Sequence, residues 1–390
     1  MVRSLASLAR HAISESLLLP IGAAIALVWA NVSLTTYDRF ANSIHFAVND
    51  IGMVFFFALA AKEIWEATLP GGAFANPKQA AVPLLAAMGG MLFPALIYTG
   101  IVHGGGRPEL ARGWAIPCAT DIAFSYLAAR YVFPKKHQAI PFLLLLAIAD
   151  DAFGLMILAI FYPTREIAPA FALVGLPLAC AMAWALRRAR VHSFWAYLGG
   201  PGLISWWALF AGGFHPALAL VPIIPFLPHA RRDIGVFDQR EERRRDTLDE
   251  FEHWWNVPVQ YVLFFFGLAN AGVPVGSVGL GTSAVVAALI VGKPIGILLL
   301  TYAPALVGLR PPAGLRVGDV AVLGIAAGIG FTVSLFFATA AFTDPILLAE
   351  TKMGALLSFF AAPLAIGVGR LIGLSSGTAV QKQTRSQHGR

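Results

Sequence analysis

Two adjacent carboxylates, Asp150 and Asp151, lie inside the apolar run 138–161, in the stretch AIADDAFGLMIL. Two further ionisable side chains, Asp121 and Lys293, fall deep within other apolar runs. An Asp or Lys at the centre of a membrane-spanning helix costs roughly 2.5–3.5 kcal/mol, so four unrelieved groups would cost about 10–14 kcal/mol. They must face a protein-lined or watery interior, and one another. A structural ion pair between Lys293 and one aspartate would explain two of the four and leave two carboxylates over. Adjacent residues on a helix point about 100° apart. One of Asp150 and Asp151 can therefore line an aqueous funnel while the other turns to a neighbouring helix. Carboxylate oxygens suit hard cations, and a buried carboxyl group is also stabilised by taking up a proton. The chemistry this pattern points to is the handling of a cation and a proton by the same groups.

Two interrupted segments are expected to position these residues. In GWAIPCATDIAFSYLAARY, 113–131, Pro117 removes a backbone hydrogen bond, and Thr120 and Asp121 follow at once. In GIAAGIGFTVSLFF, within 317–342, Gly324, Gly328 and Gly330 precede Phe331 and Thr332. Such a pair in the two halves of a chain marks a substrate site near the membrane midplane. Unwound backbone offers carbonyl oxygens, and helix ends carry about half a unit of charge. Asp121 can offset the positive N-terminal ends. Lys293, in VGKPIGI between Gly292 and Pro294, can offset the negative C-terminal ends.

The rest of the chain fits a membrane setting. It is 58% hydrophobic and only 13% charged, against about 25% charged in soluble domains. Apolar stretches of roughly 18–25 residues recur, the length of a helix that crosses a bilayer. Barrel strands would be shorter and would alternate in polarity. The fold class expected is an all-α polytopic membrane protein. It has about twelve transmembrane helices, inverted repeats and two broken helices, the fourth and eleventh spans, which run in opposite directions. The spans fall at 13–34, 44–66, 79–102, 113–131, 138–161, 168–187, 193–211, 214–228, 254–273, 282–306, 317–342 and 346–370. Of 28 Lys and Arg residues, Arg39, Arg107, Arg112, Arg165 and Lys352 fall on the side opposite the N-terminus, and Lys293 lies alone within a span. All the others share the N-terminal side, which predicts cytoplasmic termini. One transmembrane domain over 1–376 and a polar cytoplasmic tail over 377–390 are expected. The segment 229–253 reads as a charged connector that becomes helical towards its end. The net charge of +7 sits in short loops, which points to a membrane surface rather than to nucleic acid. Cys118 and Cys180 both fall within spans and imply no disulfide framework.

The motifs AIPCATDIAF, AIADDAFG, FFGLANAGV, GKPIGI and GIGFTVSLFF, in this order over nearly the whole chain, resemble the signatures of the bacterial sodium/proton antiporter A (NhaA) family. Inverted repeats with two broken helices are also what the resemblance implies. The resemblance implies electrogenic exchange of Na+ or Li+ for H+ across the bacterial inner membrane, in the service of pH and sodium homeostasis. The lipid bilayer and these three ions are then the partners, and no cofactor is needed. Asp151 would be the principal ligand of the transported cation and Asp150 its neighbour in cation and proton binding. Lys293 would pair with Asp150, and Thr120 and Asp121 would belong to the broken fourth span. Glu63 in AAKEIWEA and His215 in GGFHPALAL match positions linked to the pH response, and Glu252 in EFEHWW matches a position at the cytoplasmic mouth. The sequence departs from the family pattern at Trp65-Glu66-Ala67-Thr68, where further basic and acidic residues are usual, and at Cys118, where alanine is. A homodimer is compatible with the resemblance. However, the first outer loop, near 35–43, is too short for the bridging ribbon of many members.

Other classes fit less well. A channel would not require proton coupling, and the intramembrane Lys293 with two broken helices favours a carrier. A membrane aspartyl protease would take its two carboxylates from different helices, whereas Asp150 and Asp151 are neighbours on one. No nucleotide-binding loop stands in the sequence, which argues against an ATP-driven pump.

Overall fold

A computed structural model describes residues 17–134, 137–229, 246–309, 312 and 314–373. Arg3, Arg10, residues 230–245 of the connector and the 377–390 tail lie outside them. Among the described residues every regular element is helical. In chain order the main helices are α1 (Leu18–Val32), α2 (Leu34–Thr68), α3 (Pro77–Gly104), α4 (Ile122–Val132), α5 (Ala139–Phe161) and α6 (Pro169–Arg188). They continue with α7 (Leu203–Gly212), α8 (Thr247–Asn270), α9 (Leu280–Leu306), α10 (Val317–Ala327), α11 (Phe331–Ala341) and α12 (Pro345–Leu371). Six of these, α2, α3, α5, α6, α9 and α12, are each long and apolar enough to cross a bilayer. The pair α10 and α11, bent by 49° at its break, makes a seventh.

The structure redraws three expected boundaries. Residues 35–43 form no loop: the chain turns only at the extended Ser33 and then runs as one helix from Leu34 to Thr68. The polar residues of LTTYDRFANSIH hide this in a hydropathy reading, because they lengthen a helix without extending its apolar stretch. The expected eighth span, 214–228, holds two short 3₁₀ turns, Pro216–Leu218 and Ile224–Phe226, rather than a spanning helix. Pro216, Pro222, Pro225 and Pro228 each remove a backbone donor, and spaced this closely they leave only short turns. The ninth span begins earlier than expected, at Thr247, where the Asp246 side chain accepts from Asp249 N and caps the helix. The end of the connector is thus helical.

The chain divides into two compact units. One comprises Met1–Ala75 and Leu155–Pro274, the other Asn76–Gly154 and Val275–Arg390. In the first, α1 lies along α8 in backbone contact. A Cβ on Gly267 would meet Leu19 O at 2.6 Å, and a Cβ on Gly22 would meet the Phe264 carbonyl. In the second, the same order appears twice: a long helix, an interrupted one, then another long helix. The first set is α3, the 3₁₀ segment Pro108–Cys118 with α4, and α5 as far as Gly154; the second is α9, α10 with α11, and α12. The helices α3 and α9 approach so closely at Gly89 and Gly296 that each glycine's carbonyl occupies the place of the other's Cβ.

Candidate functional site

The site lies in the second unit and is built on the two interruptions. The 3₁₀ segment Pro108–Cys118 ends in extended backbone, with ψ 153° at Ala119 and 105° at Asp121, before α4 begins. Between α10 and α11 the helix is lost over Gly328–Gly330. The breaks meet directly. Asp121 N donates to Ile329 O at 2.7 Å. The Asp121 carboxylate accepts from Phe124 N at 3.4 Å, at the start of α4, and from Thr332 N at 3.3 Å, at the start of α11. It also accepts from the Thr332 hydroxyl. One buried carboxylate thus faces the N-terminal ends of two half-helices, where their free N–H groups carry partial positive charge.

Lys293 serves the opposite end. Its Nζ donates to Cys118 O, the last carbonyl of the 3₁₀ segment, at 2.6 Å. It also lies 3.3 Å from Asp150 Oδ2. Thr120 Oγ1 donates to the same carboxylate oxygen at 2.6 Å. Lys293 and Asp150 are both 0% exposed, so neither charge is relieved by water and each depends on the other. The second oxygen of Asp150, Oδ1, is buried and accepts no hydrogen bond. Such an orphaned buried acceptor is uncommon and marks a place where a proton or a cation would be stabilised. Asp151, on the next position of α5, is only partly buried. The two carboxylates therefore sit in different surroundings.

The sequence-predicted residues divide between the units. Asp150, Thr120, Asp121 and Lys293 come together as described, with Asp151 beside Asp150 on α5. Glu63, Glu252 and His215 belong to the other unit. There Glu63 is exposed on α2, while its neighbour Lys62 is buried. Lys62 Nζ lies 2.9 Å from Glu66 Oε2 and 2.5 Å from Glu252 Oε2. The contact of Glu252 is thus with Lys62, which the sequence marks only as one of the basic residues on the N-terminal side. The i, i+4 spacing of Lys62 and Glu66 was the available signal. His215 is buried, and its Nδ1 accepts from Ala217 N at 3.4 Å, capping the turn Pro216–Leu218. Sequence reasoning also missed the Cys118 carbonyl as the partner of Lys293, because a backbone acceptor leaves no mark on residue type.

Helices throughout, apolar spans, and buried ionisable groups at the breaks of two interrupted helices define a polytopic membrane protein of the secondary-transporter type. The sequence profile of the Na+/H+ antiporter 1 family matches residues 6–369, and the chain belongs to that family. It is 45% identical over 369 residues to the Na(+)/H(+) antiporter NhaA of Desulfitobacterium hafniense, covering 92% of this chain and 94% of the relative. It is 46% identical over 359 residues to the Na(+)/H(+) antiporter NhaA 1 of Pelobacter propionicus, covering 90% and 94%. The fold is similar to that of the sodium proton antiporter MjNhaP1 from Methanocaldococcus jannaschii. The TM-score is 0.55 at 15% sequence identity, with 94% of this chain and 95% of that one covered.

Proposed function

We propose that the protein exchanges Na+ or Li+ for H+ across the bacterial inner membrane, as a single transmembrane domain over 1–376 with cytoplasmic termini. Na+/H+ exchange follows from membership of a family whose relatives carry that activity in their names. The observation that carries the site assignment is the buried Asp150 carboxylate, with Lys293 and Thr120 on one oxygen and nothing on the other. Asp151 is the principal cation ligand, and Asp150 takes part in cation and proton binding. Lys293 holds Asp150 neutralised in the arrangement described here. Asp121 and Lys293 balance the exposed helix ends, so the unwound backbone carries no uncompensated charge into the membrane. Glu63, Glu252 and His215 act in the pH response and at the cytoplasmic mouth.

Cation and proton compete for the same carboxylates, so binding of one releases the other. Alternating access then carries each across, and exchange is electrogenic, with unequal charge moving in each direction. The membrane potential therefore contributes to the driving force, about 2.3 kcal/mol per charge per 100 mV. The experiment is proton release from purified protein, or proton movement in everted vesicles, on addition of sodium, lithium, potassium or choline. Proton movement with sodium and lithium only is expected. Equal responses to potassium or choline would overturn the assignment.

A further inference from the structure

Where α4 and α11 resume after their interruptions, each carries a buried serine in its first turn. Ser125 lies four residues after Asp121, and Ser334 lies four residues after Gly330. Their backbone N–H groups close the first turns, on Asp121 O at 3.0 Å and Gly330 O at 2.8 Å. Their hydroxyls reach across to the other interrupted segment. Ser125 Oγ donates to Ala326 O at 2.8 Å, in the last turn of α10. Ser334 Oγ donates to Ile116 O at 2.6 Å, near the end of the 3₁₀ segment. Both serines are 0% exposed. The arrangement is reciprocal: each resumed half-helix holds a carbonyl at the end of the half-helix opposite.

Serine inside a helix ordinarily returns its hydroxyl to a carbonyl of its own preceding turn. Here both hydroxyls forgo that bond. The carbonyls they meet stand near the C-terminal ends of the interrupted segments, where intrahelical donors run out; Ala326 O accepts from Ile329 N at 3.2 Å as well as from Ser125. Ile116 O is two residues from Cys118 O, which Lys293 holds, and four residues from Thr120, which holds Asp150. Ala326 O is three residues from Ile329 O, which accepts from Asp121 N. The serines touch neither Asp150, Asp151 nor Lys293 in any of these bonds, but they fix the two strands of backbone from which Thr120, Asp121 and the Cys118 carbonyl project.

We infer that Ser125 and Ser334 are a reciprocal pair of positioning residues that pin the two interruptions to each other and thereby set the geometry of the cation site. This rests on the exchange activity proposed above. Loss of either hydroxyl loosens the crossing and weakens cation binding while leaving the reacting carboxylates in place.

The test is sodium-driven proton movement in everted vesicles, with the full-length protein and S125A, S334A, S125C, S334C and S125A/S334A. Insertion and thermal melting are checked for each. Each alanine variant is expected to raise the apparent KM for sodium about three- to tenfold, the factor that one hydrogen bond carries. The maximal rate should stay within about twofold. Cysteine, similar in size with a weak S–H donor, should fall between serine and alanine. The double variant should show less than the product of the two single effects, because both bonds secure one crossing. Folded alanine variants with unchanged KM would overturn the inference, as would effects that multiply independently. Should an alanine variant fail to insert, its cysteine counterpart decides: an unchanged KM overturns the inference and a raised one supports it. Absence of sodium-driven proton movement in the unmodified protein would instead overturn the exchange activity itself.

Discussion

Replacing Lys293 by methionine keeps the length and bulk of the side chain and removes its charge. The variant loses the 3.3 Å contact with Asp150 Oδ2 and the 2.6 Å bond to Cys118 O. Asp150, fully buried, is left with Thr120 alone. Removing one partner of a buried pair costs about 3–5 kcal/mol, mostly because the other charge is stranded. On the scale of a unit of 150–250 residues, where 1 kcal/mol moves the melting point by about 2–4 °C, Lys293→Met should lower Tm by about 6–20 °C. Asp150→Asn should cost a similar amount for the converse reason, since it strands the ammonium group. The double variant removes both charges, keeps an acceptor for Thr120, and should recover at least about 3 kcal/mol relative to the sum of the two singles. The assay is thermal unfolding of the purified proteins in one detergent, with the coupling read from the cycle of four. Lys293→Arg, which keeps the charge, should melt closer to the unmodified protein than Lys293→Met does. Additive losses in the double variant would refute the reasoning, because two charges that stabilise each other cannot be removed independently.

Three further outcomes are expected. Asp151→Asn should abolish sodium-driven proton movement while the protein still inserts; near-normal exchange would remove Asp151 from the ligand role. Sodium binding measured by calorimetry between pH 5 and 9 should weaken about tenfold for each unit by which the pH is lowered and each proton displaced, where the site is protonated, because tenfold corresponds to about 1.4 kcal/mol. An affinity flat across that range would sink the competition mechanism. Cys118 is 1% exposed, with Sγ at 3.4 Å from Met91 O and 3.5 Å from Trp114 O, whereas Cys180 is only partly buried. A small thiol reagent should therefore reach Cys118 only as the interrupted helices open, and sodium should slow that labelling. Rapid labelling of Cys118 at a rate indifferent to sodium would show that access there does not report on the site.

The sequence by itself determined the class of fold, the place of the interruptions and the identity of the charged groups. Apolar runs of spanning length need only composition to be read. Asp150, Asp151, Asp121 and Lys293 stand out because hydrocarbon makes each of them costly unless it has a purpose. The breaks were legible in Pro117 followed at once by Thr120 and Asp121, and in Gly328 and Gly330, which weaken helical backbone; one such residue alone does not mark a break, since Gly324 lies inside α10 and Pro83 and Pro94 inside α3. The helix at 35–43 and the loss of helix at 214–228 were misread, because hydropathy reports the apolar stretch while backbone donors, polar residues and prolines decide where a helix runs. Beyond Lys293 with Asp150, which the family resemblance implied, only the tertiary structure decided the pairings. Lys293 and Cys118 are 175 positions apart, and Asp121 and Thr332 are 211 apart. No local pattern encodes such contacts. The tertiary structure also separated two adjacent aspartates into a fully buried one, held by Lys293 and Thr120, and a partly exposed one. Adjacent residues on α5 point about 100° apart, and residue type carries no record of which of the two directions is buried.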